Sequence, residues 1–182
     1  MRLLQPPLAK RNYNGLIAPR MGVMLHYDDS ASDRGALAWL TVDPTCKVSY
    51  NVLITDDGVG HQIAPLDKRA WHAGVCVSSD PVRLPYRDAN SAFYGVAISA
   101  RDGEVATPAQ FAGVIGVVAM LAIKHGWDLR YEGWRIVGHD TEAWPRGRKC
   151  DPTGLTKNRP VLSVAAVRAA FAPAAESDRL AA

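Results

Sequence analysis

Cysteine is scarce in this chain: three residues (Cys46, Cys76 and Cys150) among 182, an odd number that cannot all pair internally and too few for a disulfide framework. They are read as reduced where the protein is made. No apolar run reaches the roughly 20 residues needed to cross a bilayer, so membrane insertion is not expected. The opening stretch, MRLLQPPLAKRNYNG, breaks with prolines and charges the continuous apolar segment of about 7 to 15 residues that a secretory signal requires, so unaided export is not expected either. An excess of one charge sign is also lacking, with 21 Lys and Arg against 18 Asp and Glu. The basic residues are scattered and form no stripe interleaved with aromatics, which argues against nucleic acid as a partner. There is no internal repeat, and low complexity is confined to the tail APAAESDRLAA.

What is present suits one domain with a real core, since a chain of this length buries most of its unfolded surface. The expected division is a lead-in over 1–14, a folded domain over 15–172 and a frayed tail over 173–182. MGVMLHY reads as a buried strand finishing at His26, and SDRGALAWLTV as a short helix. VSYNVLIT and VGHQIA flank the turn DDG as a hairpin, with Tyr50 in its first strand. FYGVAISA reads as a further strand. TPAQFAGVIGVVAMLAIKHGW is the clearest helix, with Thr107 to cap it, Pro108 in its first turn and Gly126 at its end. WRIV makes a short strand that delivers Gly138 and His139, and VLSVAAVRAAF a final helix. The total is an α/β domain, a single mixed central sheet with helices packed against it.

His26 and His139 each follow a short apolar run, so both stand at strand ends, where rigid elements present side chains to a cleft. Two histidines so placed begin a metal site and need a third partner. Catalytic zinc commonly takes three protein ligands and leaves a position for water, whose pKa falls to about 7. The stretch RKCDP offers two adjacent donors, Cys150 and Asp151. Neighbours on an extended segment point in opposite directions, so one of them faces the metal, and zinc accepts either. The cysteines admit a second chemistry: Cys76 or Cys150, activated by His72 or His139, as a metal-free nucleophile. No orienting third residue or recognisable cysteine-protease sequence surrounds either thiol. Cys46 and Cys76 are more simply small buried or half-buried residues.

The succession of His26, SYNVLI, AWHAG, GHD and RKCDP resembles the zinc-dependent N-acetylmuramoyl-L-alanine amidases of the amidase-2 family, which includes T7-type phage lysozymes and peptidoglycan recognition proteins. The resemblance spans roughly His26 to Leu155. In that family a lysine, one spacer and a Cys or Asp ligand close the site. Carried over, Lys149 is the lysine, Cys150 the spacer and Asp151 the ligand, which implies Zn2+ held by His26, His139 and Asp151. Lys149 is implied to face the developing oxyanion. Tyr50 matches the tyrosine of a GYNF-like strand and is implied to orient water or donate a proton; an ordinary tyrosine pKa near 10 makes it a poor general base. His72 matches a motif lining the substrate groove. Trp71 beside it is read first as core and second as sugar-stacking. Asn90 and Ser91 match an Asn-rich loop that serves substrate binding. Two positions depart from the pattern: Phe93 stands where serine is usual and Ala97 where an acidic residue is usual. His61 and His125 fit no motif; His125 suits the negative end of the long helix.

The activity implied is hydrolysis of the amide between N-acetylmuramic acid and the L-alanine of the stem peptide, with peptidoglycan as partner and a monomer as the expected state. The leading setting is a bacteriophage endolysin, made in the host cytoplasm and acting at the wall after release. Its nearest competitor is a cytoplasmic amidase that recycles muropeptides. The alternative from another class is a non-catalytic peptidoglycan-binding module, which usually lacks the third metal ligand.

Overall fold

The computed structural model describes residues 12–16, 18–149, 151–153 and 161–173. In chain order these form β1 (Tyr13–Gly15), β2 (Gly22–Tyr27), α1 (Asp33–Thr41), β3 (Val52–Ile54), β4 (Gly60–Gln62), β5 (Lys68–Ala70), α2 (Ala89–Ala92), β6 (Phe93–Ile98), α3 (Pro108–His125), β7 (Ile136–Gly138), α4 (His139–Glu142) and α5 (Val164–Ala169). The central sheet runs β4-β3-β6-β2-β7. Its neighbours are parallel except for β4, which returns antiparallel from the DDG turn. β1 and β5 make a separate antiparallel ribbon.

Strand alternation sorts the residues into two faces. Val23, Leu25 and Tyr27 of β2, Val52 and Ile54 of β3, and Tyr94, Val96 and Ile98 of β6 join Val114, Val117, Val118 and Leu121 of α3 in the largest apolar cluster. Met24 and Phe93 belong to a second cluster and Leu53 and Ala97 to a third, on the opposite face. His26 lies between Leu25 and Tyr27 in sequence, so it points away from α3. The fold therefore separates a core face from a site face by strand parity.

α3 starts and stops where its sequence dictates. Thr107 Oγ1 accepts from Gln110 N at 3.0 Å while Gln110 Oε1 accepts from Thr107 N at 2.9 Å, a reciprocal cap that contributes about 1 kcal/mol. Gly126 ends the helix at φ 67°. Among the described residues α3, with 18 residues, is the one helix long and apolar enough by length and composition to cross a membrane. Here its apolar face is packed against the sheet.

Several boundaries differ from expectation. Tyr50 is not in the first strand of the hairpin, because β3 begins at Val52. The main chain still pairs there, Asn51 N donating to Gly95 O at 2.9 Å and Asn51 O accepting from Ile63 N at 3.1 Å, and the carboxamide adds bonds of its own: its Oδ1 accepts from Gly95 N at 3.1 Å and its Nδ2 donates to Pro65 O at 3.2 Å. β2 runs one residue past His26. The final helix is shorter than VLSVAAVRAAF, starting at Val164 under a cap from Ser163, whose Oγ accepts from Ala166 N at 3.1 Å. The lead-in contributes β1, and Asn12 is tied to the domain by donating to Cys46 O and Val48 O, both at 2.9 Å. Within the tail, 174–182 lie outside the described residues.

Gly95 connects the sheet to the site. A Cβ there would lie 2.6 Å from the His72 ring, so the missing side chain is the seat of His72. Gly95→Ala should destabilise the fold by about 1–3 kcal/mol, as other overpacked cores do, and denaturant unfolding at fixed pH measures this. A stability equal to wild type would show that His72 moves without penalty.

Candidate metal centre and active-site cleft

Three segments bring His26, His139 and Asp151 together. β2 supplies His26, and β7 leads directly into α4, whose first residue is His139. Asp151 is pinned to α4 through its main chain, its carbonyl accepting from Asp140 N at 2.7 Å. All three are buried, and one potential ligand atom from each lies within 4.8 Å of the others. His26 Nδ1 is 2.7 Å and His139 Nδ1 3.1 Å from the same atom, Asp151 Oδ2.

The other ring nitrogens are already committed. His139 Nε2 is 2.8 Å from Ala73 O, an acceptor only, so it carries the proton. His72 Nε2 faces Phe93 O at 3.3 Å, which puts the His72 proton on that atom and leaves Nδ1 to accept from His26 Nε2 at 3.1 Å. Both ligand histidines thus donate through Nε2, while their Nδ1 atoms face a carboxylate oxygen. A neutral imidazole has one N–H and cannot donate through both nitrogens. Protonating His26 does not resolve the conflict at neutral pH. Burial, helped by the charges of His139 and Lys149, lowers its pKa to about 4 against the opposing pull of Asp151. Burial also works against charge on Asp151, yet the flanking His139 and His26 hold its carboxyl well below the usual carboxylate range. Two nitrogen lone pairs and one carboxylate oxygen converge on a single point, a donor set that fits a divalent cation accepting nitrogen and oxygen ligands.

Support for this centre comes from behind. Asn90 is buried, and its Oδ1 accepts from both His72 N and Ala73 N at 2.8 Å. Arg20, buried beneath, donates through Nη1 to Asn90 O and Ser91 O, each at 3.1 Å, and to Phe93 O. Its guanidinium lies 4.2 Å above the Tyr94 ring. Burial lowers the Arg20 pKa to about 10, which leaves it charged at neutral pH. One buried cation thereby orders the carbonyls and amides on which His72 rests.

The eight residues singled out from sequence all reach this cleft. A cavity of about 380 Å³ is lined by His26, Tyr50, His72, His139, Lys149 and Asp151. A neighbouring cavity of about 270 Å³ adds Trp71 and Asn90 and shares His72, His139 and Lys149 with the first. Tyr50 packs by the His26 ring, centroids 5.2 Å apart. Burial, with Asp151 and Asp28 nearby, raises its pKa well above 10, so it is a proton donor. Lys149 is exposed at the rim. His72 stands behind His26, between that ring and the Phe93 carbonyl. Trp71 is 37% exposed, so the core reading gives way to a groove position. Asn90 braces the His72 loop through its side chain.

The two departures from the sequence pattern also have a place. Phe93 serves through its carbonyl, which its side chain does not alter. Ala97 is the register partner of His26 and fully buried, so the position beside His26 is apolar. Sequence reasoning missed Asp28, Asp29 and Arg148, all of which line the larger cavity. The signals were visible: DD directly follows the strand that carries His26, and Arg148 opens RKCDP.

Cysteine chemistry is disfavoured at Cys76, whose thiol donates to Ala73 O and is pushed up by burial to about 11. The Cys46 thiol is likewise raised by burial and donates to Val48 O. Cys150, the alternative third ligand, lies outside the described residues.

The sequence profile of the family described as N-acetylmuramoyl-L-alanine amidase matches residues 18–154. No curated protein matches the chain. Solved structures of similar fold include a selenomethionine derivative of AmpD, 23% identical with a TM-score of 0.69 and 94% of each chain covered. AmpDh3 from Pseudomonas aeruginosa, in complex with anhydromuramic pentapeptide, is 18% identical with a TM-score of 0.66, covering 94% of this chain and 70% of its own. A mutant of PlyL is 15% identical with a TM-score of 0.59, covering 82% of this chain and 87% of its own.

His72→Ala should keep the three converging donors and weaken zinc binding about 10- to 100-fold, as loss of an orienting partner does. Asp151→Ala should bind no stoichiometric zinc. Competition against a chromogenic chelator reads both, and wild-type affinity in the His72 variant would remove its orienting role.

Proposed function

Because the chain belongs to the N-acetylmuramoyl-L-alanine amidase family and is an enzyme of that class, we propose that it cleaves the amide between N-acetylmuramic acid and the L-alanine of peptidoglycan at a zinc centre formed by His26, His139 and Asp151. The observation that carries this reading is the convergence on one carboxylate of two imidazole nitrogens whose partner nitrogens are already hydrogen-bonded. A zinc ion bound there supplies Lewis-acid polarisation of the amide carbonyl and activation of water.

The chain's own groups do the rest. Asp151, His26 and His139 present lone pairs, with ring orientation fixed by Ala73 O and His72. Tyr50, held protonated by burial, donates a hydrogen bond toward the reacting atoms and does not act as base at neutral pH. Lys149 sits at the junction of the two cavities, where a fixed positive charge stabilises the negative charge developing on the carbonyl oxygen, an effect worth about 3 kcal/mol for one well-placed donor. With a complete set of donors and a lysine at the rim, a purely binding module is the weaker reading.

For the biological setting we favour wall lysis by a phage endolysin. An accessible cleft rimmed by the exposed Lys149, Arg148 and Trp71 suits a polymeric substrate. The extended match to AmpD and to AmpDh3, whose structure contains anhydromuramic pentapeptide, favours a second setting, the recycling of soluble muropeptides. The two differ in substrate size, and turnover of intact sacculi against soluble anhydromuropeptides separates them. Sacculi degraded at the higher kcat/KM support the endolysin, and the reverse supports recycling.

Zinc-loaded protein should release unmodified stem peptides beginning at L-alanine, detected by mass spectrometry; release should stop on chelation and return with zinc. Cleavage that survives verified zinc removal would overturn the metal reading. Lys149→Ala should keep full zinc and lose roughly 100-fold or more in kcat, with zinc content and turnover measured on the same sample.

A further inference from the structure

Asn90 stands on α2, a helix of four residues. So short a helix does not hold its shape alone; ionic and polar contacts at both ends fix where Asn90 points. At its start Asp88 accepts from Ser91 N at 3.0 Å, and the same carboxylate is gripped by Arg69 through Nε at 2.7 Å and Nη2 at 2.9 Å. Underneath, Arg20 Nη1 donates to the carbonyls of Asn90 and Ser91, each at 3.1 Å.

The Asn90 side chain is turned inward, its Oδ1 accepting from His72 N and Ala73 N at 2.8 Å each. A carbonyl oxygen has two lone pairs, and both are engaged here. The dipeptide so held serves both candidate ligand histidines. The His72 ring accepts from His26 Nε2 at 3.1 Å, and the Ala73 carbonyl accepts from His139 Nε2 at 2.8 Å. Opposite them, Asp151 Oδ2 faces the two Nδ1 atoms.

Resting on the metal-centre reading, we infer that Asn90 is a positioning residue that aligns His26 and His139 together, through His72 and Ala73, and is not the substrate-binding residue that the family resemblance implies. The direction of each Nδ1 lone pair follows from the hydrogen bond made by the other nitrogen of its ring. Here both of those bonds end on one dipeptide, and both amides of that dipeptide end on one oxygen. Removing the oxygen leaves two N–H groups of buried residues without their acceptor, a cost the segment relieves by shifting. A single substitution then misaligns two ligands at once. A substrate contact through the carboxamide nitrogen would appear in KM instead.

The test measures zinc affinity by competition with a chromogenic chelator, and kcat and KM on a soluble muropeptide at saturating zinc, for wild type, Asn90→Ala and Asn90→Asp. Asn90→Ala should bind zinc about 10- to 100-fold more weakly and lose kcat with KM unchanged. Asn90→Asp keeps the acceptor oxygen and should recover most of the loss; an Asp variant as weak as the Ala variant would show that the oxygen is not what matters. Wild-type zinc affinity with a raised KM in Asn90→Ala would overturn the inference and return Asn90 to substrate binding. Metal-free unfolding midpoints report whether Asn90→Ala folds. If it does not, wild type decides: coupling between two sites is reciprocal, so zinc should slow hydrogen exchange at the His72 and Ala73 amides, and exchange indifferent to zinc would remove the positioning role. Wild type that binds no zinc, or cleaves no muropeptide when loaded, would instead defeat the readings on which the inference rests.

Discussion

Everything at the site follows from one unresolved demand: two buried imidazoles that each face an acceptor on both sides. Ala73 O and His72 take the Nε2 protons of His139 and His26, and Asp151 Oδ2 then confronts both Nδ1 atoms. Burial makes a charged imidazole an expensive answer, as the depressed His26 pKa shows. A shared cation answers both rings at once. The same burial that makes the arrangement awkward without a metal is what makes it selective for one.

Holding such a centre requires rigidity from groups that never touch it. The His72–Ala73 segment is gripped through both of its amides by one Asn90 oxygen, and Arg20 orders the carbonyls around Asn90 and Phe93. Glu142, fully buried on the same helix as His139, accepts from Tyr86 Oη at 2.6 Å and Ser79 N at 3.0 Å, which fastens the loop carrying Ala73 to that helix. Burying an arginine and a glutamate is tolerable because each is hydrogen-bonded, Arg20 through both Nη atoms and Glu142 through both carboxylate oxygens. The polar interior on this side of the sheet contrasts with the largely apolar contact of α3 on the other. One face is built for cohesion and the other for placement.

Charge is arranged with similar economy. The net excess of positive residues is small, and the larger cavity gathers both signs, Asp28 and Asp29 with Arg148 and Lys149, while Lys47 lines the neighbouring one. Tyr50 lies among apolar residues and carboxylates that keep its proton in place. Ala97 leaves the neighbouring position without an ionisable group, and among the described residues the acids lining the larger cavity are Asp151, Asp28 and Asp29.

Much of this was legible in the chain itself. Period-two runs with turn residues between them located β2, β6 and the hairpin, and the Thr107, Pro108 and Gly126 signals bounded α3 almost to the residue, because such signals are local. The resemblance carried by the histidines and RKCDP pointed to His26, His139 and Asp151, which the fold brings within 4.8 Å of one another. Other features depended on partners far away in sequence. Tyr50 lies just before its expected strand, its carbonyl still accepting from Ala64 N, Trp71 proved to line a groove, and His72 became a brace because a glycine one strand away left it space. Asp28, Asp29 and Arg148 were visible as residues but had no assigned place until folding brought them to one cleft. The sequence alone determined which elements form and which side chains could serve as ligands, because backbone propensity and ligand chemistry are properties of short segments. Tertiary structure alone decided which nitrogen of each histidine is left for a metal and which charges meet in the cleft. Hydrogen-bond direction and electrostatic environment are set by neighbours distant in the chain.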